Sequence, residues 1–346
     1  MLGCPLLTRL VLRSCWEFRN VRLSEAALSG LKHFELRDSK RIEGCSIEID
    51  VPNLETVSIW GPWIWCHSQS ALLFFRLTRL SLNSVILSSK SFDLISFGCP
   101  TLAYLSLDNC SGFEEFHLAS DSIMFLRIRT TEILLKGVRI CAPNIVKFKF
   151  TARISKGPDT FSFTTTTSKE WSSELLLYSP KYDPDLDTNS WFLKLRQVLK
   201  ALSGSQISLI LEIRSGPQDV PCSAVINDEP PVVLRDLNFY TCECRTASWY
   251  TGFTNGLFRV CRPSHVWSWV AYESNGKYGL SEFQLNILLA NKKVRTEPYF
   301  WRHDLEQVFV ESLDGKQWQL KQWKKLGELR KGKKDRDLRL RLKWRC

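Results

Sequence analysis

The chain has 346 residues, of which 44% are hydrophobic and 24% charged, and its net charge is +11. This length and composition allow a sizeable core and suggest about two domains. No run approaches the roughly 18 consecutive apolar residues of a membrane-spanning helix, and Arg9 and Arg13 interrupt the N-terminal stretch too early for a signal peptide. Twelve cysteines are too few for a disulfide scaffold of this size. We therefore expect an intracellular protein of the nucleus or cytoplasm, with reduced thiols and no membrane association.

A short apolar motif recurs in the N-terminal half of the chain. The pattern Leu-x-x-Leu-x-Leu, with Ile, Val or Phe as substitutes, fits seven times at intervals of 21 to 25 residues. The matches begin at Leu7, Leu31, Leu54, Leu77, Leu102, Ile123 and Ile145. This period lies within the 20 to 29 residues that are typical of leucine-rich repeats.

The spacing inside the motif predicts the fold. The last two apolar residues are two positions apart, as in a strand with one buried face, so each unit needs a neighbour to cover it. We therefore predict an α/β fold, with a leucine-rich-repeat solenoid over residues 1–154 whose parallel strands form the concave side of a horseshoe. Short helices are expected between strands, as in SSKSFDLISFGCP, where Phe92, Ile95 and Phe97 would point inward and Gly98 would end the helix.

The rest of the chain departs from this period. Residues 155–184 are rich in Thr, Ser and Gly and are predicted to form a loop or linker. Residues 185–346 are predicted to form an α/β extension that continues or caps the solenoid. Apolar residues at helical spacing between Trp191 and Leu202 predict a helix, and QISLILEI and VVLRDLNF predict strands.

The positive charge is concentrated near the C-terminus. Between Lys316 and Cys346 there are 13 Lys or Arg and three acids, a net charge of +10, and Trp318, Trp323 and Trp344 lie among them. This mixture is compatible with nucleic-acid binding or with an acidic partner.

The spacing of these residues favours a structural role. Leucines alternate with basic residues from Leu338 to Trp344, which is typical of a strand with one buried and one solvated face. Upstream, the apolar residues from Trp318 to Leu326 fit one face of a helix. We therefore predict a basic C-terminal helix and strand with solvated faces; an acidic partner is the second alternative, and nucleic acid is the least favoured.

The cysteines have two possible roles. Those in the Cys-Pro pairs at Cys4 and Cys99 precede strands and are expected to be small buried hydrophobic residues. Cys242, Cys244, Cys261 and His265 could in principle form a zinc site. A single residue between paired thiols is unusual for zinc, so packing is the favoured interpretation and no metal is expected.

The repeats also carry a family resemblance. The units CPLLTRLVLRSC and CPTLAYLSLDNC, followed by GLFRVCRP, YFWRHDLEQVFVE and LRLRLKW, resemble plant F-box proteins with leucine-rich repeats. Members of that family are substrate receptors of SCF-type (Skp-cullin-F-box) ubiquitin ligases. The resemblance implies a protein substrate on the concave face, and a Skp adaptor and cullin only where an F-box lies upstream. Because the chain begins inside a repeat, the resemblance implies a fragment, a truncated gene model or a member that has lost its F-box.

Motifs of enzyme chemistry are not found in the sequence. It contains neither a nucleophile elbow nor a phosphate-binding loop, nor a zinc-protease or dinucleotide fingerprint, and its five histidines are scattered. We therefore expect a non-catalytic recognition module without cofactors.

The candidate binding residues are those that alternate with the buried positions of the repeats. Trp60, Tyr104 and Phe125 lie among arginines there, and these residue types dominate binding hot spots. The full predicted set comprises Arg13, Arg37, Trp60, Arg79, Tyr104, Asp108, Phe125, Arg127, Arg129, Lys147 and Lys149. Two alternatives remain open: a repeat scaffold unconnected with ubiquitin, or a sensor that holds an acidic small ligand with the last four of these residues.

Overall fold

A computed structural model describes residues 4–14, 18–37, 44–66, 74–131, 135–153, 157–166, 170–179, 188–213, 229–241, 247–268, 300–314, 317–321 and 338–345. Strands make up most of the secondary structure in these residues, and helices are few. The chain divides into two compact units, Met1–Ala152 with Lys156–Ser172, and Arg153–Ser155 with Ser173–Cys346.

The first unit is built almost entirely from strands. In chain order its elements are β1 (Arg9–Arg13), β2 (Asn20–Ser24), α1 (Glu25–Leu28), β3 (His33–Arg37), β4 (Ser46–Asp50), β5 (Thr56–Trp60), β6 (Ile64–Cys66), β7 (Arg79–Asn83), α2 (Ser89–Phe97), β8 (Tyr104–Asp108), β9 (Glu115–Ala119), β10 (Phe125–Thr130), β11 (Gly137–Cys141), β12 (Lys147–Arg153) and β13 (Thr160–Thr164).

These strands form the stacked coils of a parallel solenoid. One strand of each coil lies in a first sheet, in the order β1-β3-β5-β7-β8-β10-β12. The chain then returns through a second layer, which contains the three-stranded sheets β2-β4-β6 and β9-β11-β13. Within the described residues, these strands pair in parallel in both layers. The solenoid predicted from the repeat is confirmed.

The seven motifs supply the core of this unit. Their last two apolar residues stack in register, coil upon coil, and form what we call the apolar ladder. Phe34 and Leu36 of the second coil are buried, and so are the equivalent residues of every later coil. In the first coil the equivalent Leu10 and Leu12 are only half-buried, because β1 is the first strand of the sheet.

The helix predicted in SSKSFDLISFGCP is α2. Its C-cap is Gly98, and Phe92 and Ile95 are buried as expected. Phe97, however, is 74% exposed, so the prediction that it points inward is wrong. At 100° per residue Phe97 lies about 160° away from Ile95 around the helix axis, on the opposite face.

Most of the other return segments are strands, which corrects the expectation of helices between the repeats. In β4 the sequence Ser-Ile-Glu-Ile-Asp alternates strictly, and both isoleucines are buried. The second-layer strands β2, β9 and β11 show the same alternation of buried and solvated positions. Because their buried residues are two positions apart, a strand can bury all of them and a helix cannot.

The loop predicted over residues 155–184 is wrong over Thr160–Thr164 and Ser172–Ser179, which are strands; the first of these is β13. The ring of Phe161 lies 5.6 Å from that of Phe150, and the ring of Phe163 stacks on that of Trp171 at 4.9 Å. Phe161 and Phe163 alternate with Ser and Thr and so add another return strand to the solenoid, although the surrounding residues are mostly polar.

The second unit contains three helices and seven strands within the described residues. In chain order they are β14 (Ser172–Ser179), α3 (Thr188–Ala201), β15 (Gln206–Ile213), β16 (Val232–Thr241), α4 (Ala247–Val260), β17 (Cys261–Ser268), α5 (Phe300–Asp304), β18 (Leu305–Asp314), β19 (Gln317–Lys321) and β20 (Leu338–Trp344).

A mixed sheet organises this unit. Its strand order is β14-β15-β16-β17-β20-β18-β19. β15, β16 and β17 are parallel, whereas β17, β20, β18 and β19 pair antiparallel. Helices α3 and α4 pack together through aromatic rings, with Trp191 stacked on Phe253 at 5.3 Å.

The predicted elements of the second unit are largely present. The helix after Trp191 is α3, and the strands QISLILEI and VVLRDLNF are β15 and β16. The alternating C-terminal strand is β20, with Leu340 and Leu342 buried. The helix predicted from Trp318 to Leu326 is wrong over Gln317–Lys321, which is β19; its remaining residues lie outside the described part of the chain. Trp318 and Leu320 are two residues apart, so they fit a strand as well as a helix.

Among the described residues, no helix is long and apolar enough to cross a membrane.

Candidate functional site

The first sheet has a second side, opposite the apolar ladder, which we call the open face. Its side chains alternate with the buried ones and fall into three rows that cross the strands in register. The first row contains Arg9, His33, Thr56, Arg79, Tyr104, Phe125 and Lys147. The middle row contains Val11, Glu35, Ser58, Ser81, Ser106, Arg127 and Lys149. The third row contains Arg13, Arg37, Trp60, Asn83, Asp108, Arg129 and Thr151.

All eleven predicted binding residues lie on this face. Trp60 and Phe125 are 41% and 39% exposed, so both rings are accessible on the solvated side of the sheet. The predicted residues that are half-buried are Tyr104, Asp108, Lys147 and Lys149. The exposed arginines are Arg13, Arg37, Arg79, Arg127 and Arg129. The sheet thus brings together residues that are more than a hundred positions apart in the sequence.

Two of the aromatic rings on the open face are covered by arginines. The guanidinium carbon of Arg37 lies 4.6 Å from the centroid of the Trp60 ring, and that of Arg79 lies 4.3 Å from the centroid of the Tyr104 ring. Each pair joins residues of adjacent strands that are register partners. The Trp60 Nε1–H also donates a 3.1 Å hydrogen bond to Oγ of Ser58. These contacts fix the orientation of the two rings before any partner arrives.

The acids of the open face are held between arginines. One carboxylate oxygen of Glu35 lies 2.7 Å from Nε of Arg37 and 3.2 Å from Nη2 of Arg13. The carboxylate of Asp108 lies 3.7 Å from Nε of Arg129 and 3.9 Å from Nη2 of Arg127. Each carboxylate neutralises only one of its two arginines, so both clusters keep a positive charge.

Four cations lie on the adjacent strands β10 and β12 of this face, and we call them the basic block: Arg127, Arg129, Lys147 and Lys149. Arg127 and Lys149 are register partners, and Lys147 is the partner of Phe125. These are the four residues that were predicted as a cradle for an acidic ligand, and adjacent strands do bring them together.

The open face as a whole is basic. Its three rows contain eight Lys or Arg residues and two acids, Glu35 and Asp108. The formal charge of the face is therefore +6 with histidine neutral, although the basic C-terminal segment lies elsewhere in the sequence.

Glu35 was not among the predicted site residues, although it organises the β1–β3 end of the open face. A sequence signal for it does exist. It lies two residues before Arg37, and the register partner of Arg37 on the preceding coil is Arg13, so a strict register places all three side chains in one cluster.

The second unit contains a polar cluster around Asp236. Oγ of Ser208 donates a 3.1 Å hydrogen bond to one carboxylate oxygen, and Nδ1 of His265 lies 3.6 Å from the other. Arg235 also donates to this carboxylate. The acid lies between the hydroxyl group and the imidazole, which is the wrong order for a nucleophile activated by histidine.

The structure describes only part of the proposed zinc alternative. Cys242 and Cys244 lie outside the described residues, and Cys261 is fully buried. Burial raises the pKa of the Cys261 thiol. Within the described residues, no group of three or more potential ligands could hold a metal ion.

The thiols of the repeats divide into two groups. Cys99 is buried as predicted, Cys110 is buried too, and burial raises the pKa of each to about 12. Cys4 and Cys141 are exposed, so the prediction of a buried hydrophobic role is wrong for Cys4. Cys4 immediately precedes the first coil, and no earlier coil of the described chain covers it.

Comparison with known proteins finds no match among family models, curated proteins or solved structures.

Proposed function

We propose that this chain is a non-catalytic protein-recognition module whose binding surface is the open face. The observation that carries the proposal is the pair of arginine-covered rings, Trp60 and Tyr104, on the solvated side of the sheet. Aromatic residues and arginines supply most of the energy at protein interfaces. Rings that are held in place before binding lose little conformational freedom when a partner arrives.

The construction of the first unit suits such a role. A parallel solenoid presents an extended surface whose side chains are placed by the register, while its stability comes from the ladder on the other side. Substitution of an open-face residue can therefore alter binding without removing the core. In the residue pattern of its motifs, the solenoid resembles leucine-rich repeats, and we propose that it is one, with the open face as its concave side.

By the same resemblance, the protein held on the open face would be a substrate of an SCF-type ubiquitin ligase. The chain would then position a substrate lysine near a ubiquitin-charged enzyme, so its contribution to the reaction would be proximity. A repeat scaffold unconnected with ubiquitin would use the same surface. Reading the coding sequence upstream of Met1 separates the two, because an in-frame F-box favours the ubiquitin role and a clean start there favours the scaffold.

The binding surface can be tested by affinity capture from an extract of the source cells. The variant W60A/Y104A removes both covered rings. Its matched control is F75A/F97A, which removes two rings that are 58% and 74% exposed elsewhere on the first unit. We expect the proteins captured by the wild type to fall about tenfold or more with the first variant and to stay with the control. Equal capture by all three proteins would mean that the open face is not the binding surface.

A further inference from the structure

The charge of the open face restricts the kind of partner that can bind there. Eight basic side chains against two acids give a formal charge of +6. Glu35 and Asp108 each lie between two arginines, and neither carboxylate can compensate a further cation. A basic partner would therefore be repelled at both ends of the face, and a neutral one would have to desolvate arginines there without supplying any acid to pair with them.

The basic block is the strongest part of this charge. Arg127 and Arg129 are 44% and 43% exposed at their side chains, and Asp108 is their shared acid. On the adjacent strand Lys147 and Lys149 add two positive charges in the same register. Outward residues are about 6.6 Å apart along a strand, which is also the spacing of carboxylates at alternate positions of an extended peptide.

We infer that the partner of the open face is an extended acidic protein segment whose carboxylates bind the basic block. This inference rests on the proposed function and gives its partner a chemical class. Apolar side chains of the segment would pack beside Phe125, which lies on β10 with Arg127 and Arg129, and beside Tyr104 and Trp60, which lie farther across the sheet on β8 and β5.

A single-stranded nucleic acid is the competing polyanion, and the geometry is less suitable for it. Base stacking needs open aromatic faces, whereas guanidinium groups already cover Trp60 and Tyr104 on one side. Asp108 would also meet the phosphates directly beside the basic block. A peptide can avoid that carboxylate by placing a neutral residue there, but every nucleotide brings a phosphate.

The experiment selects binders from a random 12-residue peptide library displayed on phage, using the purified full chain. Binding of the selected peptides is then measured for the wild type and for R127E/R129E. The matched control is R22E/R139E, which reverses two exposed arginines of the second-layer strands β2 and β11. A milder variant, K147Q/K149Q, tests the same site if R127E/R129E does not fold. Circular dichroism checks the folding of all three variants.

We expect selected peptides with at least about twice the Asp and Glu content of the unselected library. Their affinity should fall about tenfold or more in R127E/R129E and several-fold in K147Q/K149Q, with no change in R22E/R139E. It should also weaken between 0.05 and 0.5 M salt, because Lys and Arg form screened ion pairs with the peptide.

Three other results would overturn the inference, and they separate it from the proposed function. Neutral or basic peptides that lose binding in W60A/Y104A would refute the acidic class and leave the recognition surface intact. If a 12-nucleotide oligouridylate bound more tightly than the selected peptides, and its binding depended on the same four cations, the surface would be assigned to nucleic acid. A library that yields no peptide dependent on the open face would count against both proposals.

Discussion

The Nε–H of Arg339 donates a 2.7 Å hydrogen bond to Oε2 of Glu311, whose side chain is only 7% exposed. The two residues are register partners on β20 and β18. Nε of Arg341 lies 3.2 Å from the other carboxylate oxygen, so two arginines share one buried acid in the second unit. A buried carboxylate is tolerated only while such partners remain.

We therefore expect Arg339→Ala to destabilise the second unit by about 3 kcal/mol, because the buried Glu311 carboxylate then keeps only one of its two arginines, Arg341. The control is Lys343→Ala on the same strand, whose ion pair with Glu306 is exposed and contributes at most about 1 kcal/mol. Urea denaturation followed by circular dichroism measures both variants. Similar losses for the two variants would mean that Glu311 does not depend on Arg339.

Gly112 is a steric requirement of the solenoid. Its φ is +92°, and a Cβ atom there would lie 2.2 Å from the carbonyl oxygen of Leu87. We expect Gly112→Ala to lower the free energy of unfolding by about 3 kcal/mol, through backbone strain and the contact together. Gly44→Ala is a close control, since φ is +84° there and no atom lies within 4 Å of the added Cβ. It should cost about 1 kcal/mol, and equal losses would rule out the contact with Leu87.

Asn109 links two coils of the solenoid. It follows β8 with φ of +51°, and its Oδ1 accepts hydrogen bonds from N and Oγ1 of Thr131 at 2.9 and 2.7 Å. We expect Asn109→Ala to destabilise the first unit by about 2 kcal/mol, because it loses both bonds and a side chain that tolerates positive φ. Asn53→Ala, which removes one exposed bond to the Ser29 carbonyl, should cost less than about 1 kcal/mol. Thermal unfolding measures the difference, and a larger loss for Asn53→Ala would contradict this role.

The thiols should differ sharply in reactivity. Burial raises the pKa of Cys99 and of Cys110 to about 12, so both are protonated at pH 8. Since the thiolate is the reactive species, we expect iodoacetamide to leave these two cysteines unmodified while it alkylates the exposed Cys66 and Cys141. Mass spectrometry of the digested protein quantifies each site, and urea should make all four reactive. Rapid alkylation of Cys99 in the native protein would contradict the burial of its thiol.

The same pKa shifts predict a loss of stability in alkali. An unfolded thiol titrates near 9.0, whereas folded Cys99 and Cys110 keep their protons until about pH 12. The stabilisation is thus complete below pH 9 and is lost as the pH rises from 9 to 12, by up to about 1.4 kcal/mol per pH unit for each thiol. We expect denaturation midpoints between pH 8 and 11 to fall more steeply for the wild type than for C99A/C110A. Parallel curves for the two proteins would exclude this linkage.

The solenoid could be predicted from the sequence because its core repeats at a nearly constant interval. The two apolar residues that end each motif, such as Leu80 and Leu82, must be buried by a neighbouring coil, and only stacking satisfies all seven motifs at once. The return segments were harder, because no residue recurs in them at fixed positions. Their alternation, as in Ser46–Asp50 and around Phe161, favours strands, whereas the repeat class favours helices and the polar composition favours loops.

The candidate surface could be predicted in outline from the same alternation. It places Trp60, Tyr104 and Arg127 on the solvated side, and the register then brings them together. Contacts within the face could not be predicted in this way. Whether Arg37 extends over Trp60 or pairs only with Glu35 depends on side-chain rotamers, which the spacing of residues does not determine.

The coils differ in length by up to four residues, yet the strands of the first sheet stay aligned residue for residue. The extra residues are therefore absorbed in the connections, where an insertion or deletion leaves every outward side chain outward. Such a chain can change its coil lengths and its recognition residues separately. Descendants of one sequence could thus acquire new partners by point substitution on a framework that tolerates length changes.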